Sequence, residues 1–245
     1  MKILLAPAET KNEGGKDSSF SIDSFFLKHL YEKRLEIIRA YEEYISSLSL
    51  EELSSWFGLK NLKEVEKYKH TLASKPTMKA IQRYNGVAFD ALNYNSLNEK
   101  AQKYIDENVV LFSNLFGPVK AQDLIPDYKY KQGAKLPKLN VEKFYLENFS
   151  KALDEYLGEE IIDLRAGHYE KFYKITKANV LTFKFIKEGK VISHWAKYYR
   201  GILLKYLAEN SVSSIAEFMT LNIEGLKLKE IQEKKNIKLL IMEIE

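Results

Sequence analysis

Four short apolar runs narrow the folds open to this chain: Met1 to Ala6, Val109 to Ser113, Ile161 to Leu164 and Lys238 to Ile244. Each is strand-length and is bounded by proline, charge or a turn residue, as Pro7 stops the first. The first and third read as buried strands. Glu188-Gly189 is a turn dipeptide between two β-prone runs, Val180 to Lys187 and Val191 to Trp195, which predicts a hairpin. Helical patterns occupy Ser24 to Ile45, Asn61 to Thr71, Glu99 to Asp106, Val141 to Tyr156, Tyr198 to Glu209 and Ser214 to Thr220. Lys11 to Ser21 reads as a loop and Phe116 to Pro137 as irregular. Helices and strands do not alternate regularly. The expectation is therefore α+β, one mixed domain over residues 1–245 with a central sheet flanked by helices, rather than a doubly wound sheet.

With 245 residues the chain can bury a substantial core. It has no cysteine, which excludes disulfides, thiolate chemistry and cysteine-based zinc or iron–sulfur centres. The N-terminal apolar run is too short for a signal peptide, and no segment approaches the roughly 20 apolar residues of a membrane span. A soluble cytoplasmic monomer with no membrane partner is expected. The net charge of +4 permits a polyanionic partner without arguing for one.

Polar residues collect where strands end or helices begin. The segments are Pro7 to Lys11, Lys79 to Gly86, Asp163 to Tyr169 and Ser193 to Gly201. Thr77 to Leu92 reads as a short helix, a glycine-broken turn and a second short segment. Lys79 and Arg83, four apart, would share a helix face ending at Asn85-Gly86, a seat for an anion. Lys197 and Arg200, three apart at a helix start, can face one side and grip phosphate; a solvated cationic face is the plainer alternative. Such segments are most often just surface loops, but four of them could form one polar cleft.

Glu9, Asp163 and His194 are candidates for proton transfer, and His168 with them could hold a metal or contact phosphate. No His-x-x-x-His spacing, G-x-S-x-G elbow, phosphate loop or dinucleotide fingerprint is present, so neither metal nor cofactor is expected. Leu50 to Tyr68 fits a helix-hairpin-helix about Gly58, with Lys60, Lys63 and Lys67 nearby, and fits an ordinary packing unit equally well. Asp127 to Lys135 alternates aromatic and basic residues. That pattern suits nucleic acid, with Lys129 on phosphate, unless Tyr128 and Tyr130 pack on the core.

Through these same segments, in order and across nearly the whole length, the chain resembles the YaaA peroxide-stress family. The matching stretches are Pro7-Ala8-Glu9-Thr10-Lys11, Lys75 to Val87, Leu115 to Val119, Asp123 to Tyr128, Asp163 to Tyr169, and Ser193 to Lys197 with Arg200-Gly201. The resemblance implies a bacterial cytoplasmic protein induced by peroxide, which limits damage from unincorporated iron. It also implies non-specific DNA binding through a positively charged cleft, with a helix-hairpin-helix element in an α+β fold. Carried over by position, Lys11, Arg83, Tyr84, Gly86, Arg165, Lys197 and Arg200 would line that cleft, and Lys79, Lys129 and His168 join them as DNA-binding candidates. An enzyme acting on nucleic acid or a small anionic substrate in the same cleft is the alternative. Two positions depart from the family pattern. Ala8 stands where a serine or other small residue is usual, and Lys120-Ala121 replaces Arg-Pro.

Overall fold

The computed structural model of the chain describes residues 1–16 and 20–245, apart from the side chains of Ser193 and His194. The centre of the expected Lys11–Ser21 loop lies outside these residues. The chain opens with β1 (Lys2–Leu5) and continues through α1 (Tyr31–Ser47), α2 (Leu50–Phe57) and α3 (Leu62–Tyr68). Next come β2 (Thr77–Lys79), α4 (Ala80–Arg83), α5 (Val87–Leu92) and α6 (Glu99–Asn108), then β3 (Val109–Ser113), β4 (Gly117–Lys120) and β5 (Leu124–Pro126). The remainder is α7 (Val141–Leu157), β6 (Glu160–Leu164), β7 (Asn179–Lys187), β8 (Lys190–Val191), α8 (Ser193–Glu209), α9 (Ile215–Phe218), β9 (Leu226–Lys234) and β10 (Ile237–Ile244).

The central sheet has the order β4-β3-β1-β6-β7-β10-β9, with β8 on β7. Strands β3, β1, β6, β7 and β10 run parallel, while β4, β8 and β9 add antiparallel edges. Helices pack on this sheet, α8 against β7 and α9 against β6. This is the expected mixed architecture, with more parallel pairing than the irregular element order suggested. Parallel strands are covered on both faces, so β3 is buried at every position. Among the described residues no helix is long and apolar enough to cross a membrane.

Several local readings change. The stretch Thr77 to Leu92 begins as a strand, because β2 pairs antiparallel with β5. Lys79 therefore precedes α4 instead of sharing its face with Arg83. Its ammonium reaches Asp106 at 2.5 Å and the Tyr94 hydroxyl at 3.1 Å. The irregular Phe116–Pro137 stretch contains β4 and β5, and α8 begins at Ser193, leaving β8 only two residues. Helices α2 and α3 do form about Gly58, whose φ of +68° is the left-handed cap that glycine allows. Ser49 and Glu52 close the capping box. Leu53, Phe57, Val65 and Tyr68 bury the pair against the body. The amides of Gly58 and Leu59 are already bonded to carbonyls of Ser54 and Ser55. The geometry is that of a packed helix pair, and it does not single out a helix-hairpin-helix for DNA.

Helices α5 and α8 lie against one another and meet at Gly201, where a Cβ would collide with the Ala88 carbonyl oxygen and press on the Ala91 side chain. Backbone rather than a flexible side chain blocks the methyl group, so the helices must separate to admit it. Gly201→Ala is expected to lower stability by about 1–3 kcal/mol, the usual cost of overpacking. Urea unfolding checks this: the midpoint falls with an unchanged slope.

Candidate functional site

Strand β1 has β3 on one side and β6 on the other. The chain goes from β1 to β3, then returns across β1 to β6, so the carboxyl end of β1 is a topological switch point. In parallel sheets the crevice at such a point is where ligands bind. A cleft of about 420 Å³ opens there. Its floor is apolar, with Leu5 at the end of β1 and Leu164 at the end of β6.

One wall is the loop leaving β1. Pro7 ends the strand, and the following residues are zippered to the α4–α5 turn. Lys11 bridges Tyr84. The Asn12 amide donates to the Arg83 carbonyl at 2.8 Å, the Asn85 amide donates to the Thr10 carbonyl at 3.2 Å, and the Thr10 hydroxyl donates to the Asn85 carbonyl at 3.1 Å. Gly86 makes the turn at φ +110°, a conformation side chains disfavour, and sits against the Thr10 hydroxyl. Glu9 is the sole carboxylate among the lining residues, and its Oε1 accepts from the Gln132 amide at 3.2 Å. Helix α8 contributes Lys197 and Arg200 to the lining.

The expected DNA-binding residues divide by this geometry. Gly86, Lys197 and Arg200 line the cleft, as does the proton-transfer candidate Glu9. Arg83 has no exposed surface. Its guanidinium donates to the carbonyls of Ile125, Asn12, Gly14 and Pro76, which leaves little for a phosphate. Arg165 is 6% exposed and forks onto both oxygens of Asp163 at 2.9 and 2.8 Å, with the carbonyls of Tyr169 and Tyr173 taking its remaining nitrogen. Asp163 is thereby committed as well. Tyr84 is buried, its hydroxyl 2.7 Å from that of Tyr128, which is 2.7 Å from the Ser113 hydroxyl; burial pushes the Tyr84 phenol up to about 12. Tyr128 and Tyr130 are core residues, so the aromatic–basic alternation around them offers no exposed rings. Lys129 is half-buried and close enough to oppose the charge on Lys11. Lys79 is engaged elsewhere, as above.

His168 is part-buried, with its Nε2 3.8 Å from Glu142 and no hydrogen bond; burial lowers its pKa. The His194 side chain lies outside the described residues. Tyr169 and Gln132, each inside a segment the sequence had marked but neither named there as a site residue, also line the cleft. Among the described residues no three His, Asp or Glu side chains are grouped to hold a metal ion. A second hollow, about 590 Å³ between α9 and β9, carries Glu224, Lys227 and Glu245 rather than a pair of cations.

Arg200 is half-buried and makes no hydrogen bond or ion pair among the described residues. Burial lowers its pKa, with Asp163 acting in the opposite sense. A partly desolvated guanidinium with no partner is favourable only if an anion joins it. Lys197, exposed three residues earlier on the same helix, adds a second charge within reach of the same ligand.

Lys11 stands behind the wall. Its residue is part-exposed overall, yet its ammonium lies over the Tyr128 and Tyr84 rings at 4.2 and 5.4 Å and donates to the Glu9 carbonyl at 3.2 Å. Burial pushes it from its ordinary 10.5 down to about 7, while the ring faces offset part of that cost. Between pH 7 and 10.5 the unfolded chain holds a proton that the folded chain has released, so stability rises with pH in this window. Below pH 7 both states are protonated and the penalty is complete. Lys11→Met is expected to stabilise the fold at pH 6.5 by about 1–2 kcal/mol, on the scale of single core changes, and to flatten the rise above pH 7. Denaturant midpoints from pH 6 to 10 measure both effects; a destabilised variant with an unchanged pH profile would show that the ammonium is well solvated.

A family model described as peroxide stress protein YaaA matches residues 1–232. A protein of Campylobacter jejuni is 50% identical over 245 residues, covering 100% of this chain and 99% of the relative. A UPF0246 protein of Corynebacterium glutamicum is 30% identical over 254 residues, covering 99% and 100% respectively, and one of Aliivibrio fischeri is 25% identical over 95% and 94%. With its fold, its segments in family order and a match over almost its entire length, the chain belongs to the YaaA (UPF0246) family of peroxide stress proteins.

Proposed function

We propose that this peroxide stress protein binds DNA by its backbone at the mouth of the switch-point cleft and limits iron-dependent damage by covering the strand. The observation that carries the reading is Arg200: half-buried, with no hydrogen bond or ion pair among the described residues, on the cleft wall beside exposed Lys197. Both cations hold phosphate without reading bases. Neutralising each phosphate releases counterions, so the logarithm of affinity falls with the logarithm of salt by about 0.9 per contact. Fluorescence anisotropy with a labelled duplex at 50–200 mM salt tests this. The double variant Lys197→Ala, Arg200→Ala is expected to bind at least tenfold more weakly at low salt, with a slope shallower by about one to two. Wild-type binding by the double variant, or affinity indifferent to salt, would overturn the proposal.

A second reading, an enzyme acting on nucleic acid or a small anionic substrate, is favoured by one feature. The Glu9 carboxylate lies on the wall of a crevice of the catalytic type, held by the Gln132 amide. The pair Asp163–Arg165 then orders the neighbouring strand end instead of moving protons. Incubation with abasic or oxidised duplex distinguishes the readings: strand cleavage by the wild type that disappears in Glu9→Gln supports an enzyme, and intact DNA supports binding alone.

A further inference from the structure

We infer that the cleft is a binding site for a free organic phosphate about the size of a mononucleotide, with the phosphate on Lys197 and Arg200 and an apolar, planar body in the interior. The inference shares two cations with the DNA reading but goes beyond it, because it concerns the interior behind them.

Three observations converge. The cleft encloses about 420 Å³, within the roughly 300–1,000 Å³ of small-molecule sites and far too narrow for a double helix. Its inner surface is made by Leu5, Pro7, Val87, Phe89 and Leu164. These would be an unsuitable lining for a bare inorganic ion, since a strongly hydrated anion gains nothing from apolar walls. The same walls suit a ring whose removal from water is favourable.

The polar groups are few and convergent, the usual pattern of a specific small-ligand site. The Tyr169 hydroxyl is 3.5 Å from Gln132 Oε1, too long for a good hydrogen bond. Gln132 Oε1 thus keeps capacity for a ligand's ring substituents, and the Tyr169 hydroxyl, whose oxygen the Asn114 amide approaches as a donor, keeps its own O–H to donate. Glu9 Oε1 is fixed by the Gln132 amide at 3.2 Å, and its second oxygen can accept from a ring amine or a sugar hydroxyl. The cations line the same cleft from α8. A ligand that combines a phosphate, a flat apolar body and a few hydrogen-bonding atoms matches that set of groups.

Isothermal titration of the full chain with adenosine 5′-monophosphate, inorganic phosphate and adenosine as separate probes tests the inference. The nucleotide is expected to bind at least tenfold more tightly than either part, because the walls and the cations act on one molecule. Lys197→Ala, Arg200→Ala should weaken the nucleotide at least tenfold and leave adenosine unchanged. Tyr169→Phe, which keeps the ring and the packing, should weaken it several-fold without altering the unfolding midpoint. Equal affinity for nucleotide and inorganic phosphate would reduce the site to an anion seat and overturn the inference. So would silence towards the free nucleotide combined with preference for a duplex bearing an unpaired base, which would assign the interior to strand-borne nucleotides. Duplex binding without nucleotide binding defeats this inference and leaves the DNA reading standing; nucleotide binding without duplex binding does the reverse.

Discussion

Buried guanidinium groups hold the loops around the sheet, and the rest of the architecture leans on them. Arg34 on α1 donates to the carbonyls of Phe26, Phe116 and Pro118. Arg83 gathers four carbonyls from two loops and strand β5, and Arg165 closes the turn after β6. Carbonyls buried in irregular chain have no ladder partner and must find donors. A guanidinium supplies five in a fixed plane, so one side chain can satisfy several turns of backbone together. Burying the charge is costly, and the desolvation is visible in the lowered pKa of Arg34, to about 10. The cost is offset only because nearly every N–H is used. Removing one such side chain would orphan two to four carbonyls at once, so these arginines are structural.

This division decides how the basic character of the chain should be read. Arg83, Arg165 and Lys79 sit in segments that look like a cationic cleft, yet each is engaged inside the protein. What remains for a ligand is a small set on α8. The excess of positive charge is therefore a poor guide to binding, and the positions of the unpartnered groups are a good one. Asp163 acts on both Arg165 and Arg200, but buried Arg165 has taken both carboxylate oxygens, and half-buried Arg200 is left with attraction at a distance.

The legible parts of the fold were those where one residue pattern admits one environment. Ile3-Leu4-Leu5 and Val109 to Phe112 are apolar without interruption, and only a strand covered on both faces suits them. Ser49 with Glu52 announced a helix start because the reciprocal cap needs that spacing. Strand β9 was missed because Leu226 to Lys234 alternates Lys, Glu and Gln with apolar residues at a sheet edge, where nearly every position is exposed. Parallel pairing was hidden by crossovers whose lengths vary widely, β1 to β3 containing six helices. At the site, polar residues directly after strands marked Glu9, Gly86, Tyr169, Lys197 and Arg200. Periodicity misplaced Lys79 and Arg83, since a register that puts two cations on one helix face says nothing about a strand ending between them. Gln132 lay inside the marked Asp127–Lys135 stretch but was not singled out, because the alternation there pointed to its aromatic and basic neighbours.

The approach of α5 to α8 is what turns a switch point into a usable cleft. Gly201 lets α8 reach the backbone of α5 at Ala88, and Gly86 lets the chain enter α5 while the Pro7–Lys11 loop stays zippered to it. The cations of α8 and the carboxylate of Glu9 are thereby fixed relative to one another through backbone contacts, not through flexible side chains. Arg200 is also partly stripped of water before any ligand arrives. That desolvation belongs to folding, where the surrounding packing offsets it, and so it is not charged against binding. A surface arginine with the same charge would have to shed its water and order its side chain on contact. The same chemistry on a solvated helix face would consequently bind more weakly, and the half-buried placement of one guanidinium outweighs the larger number of exposed lysines elsewhere on the chain.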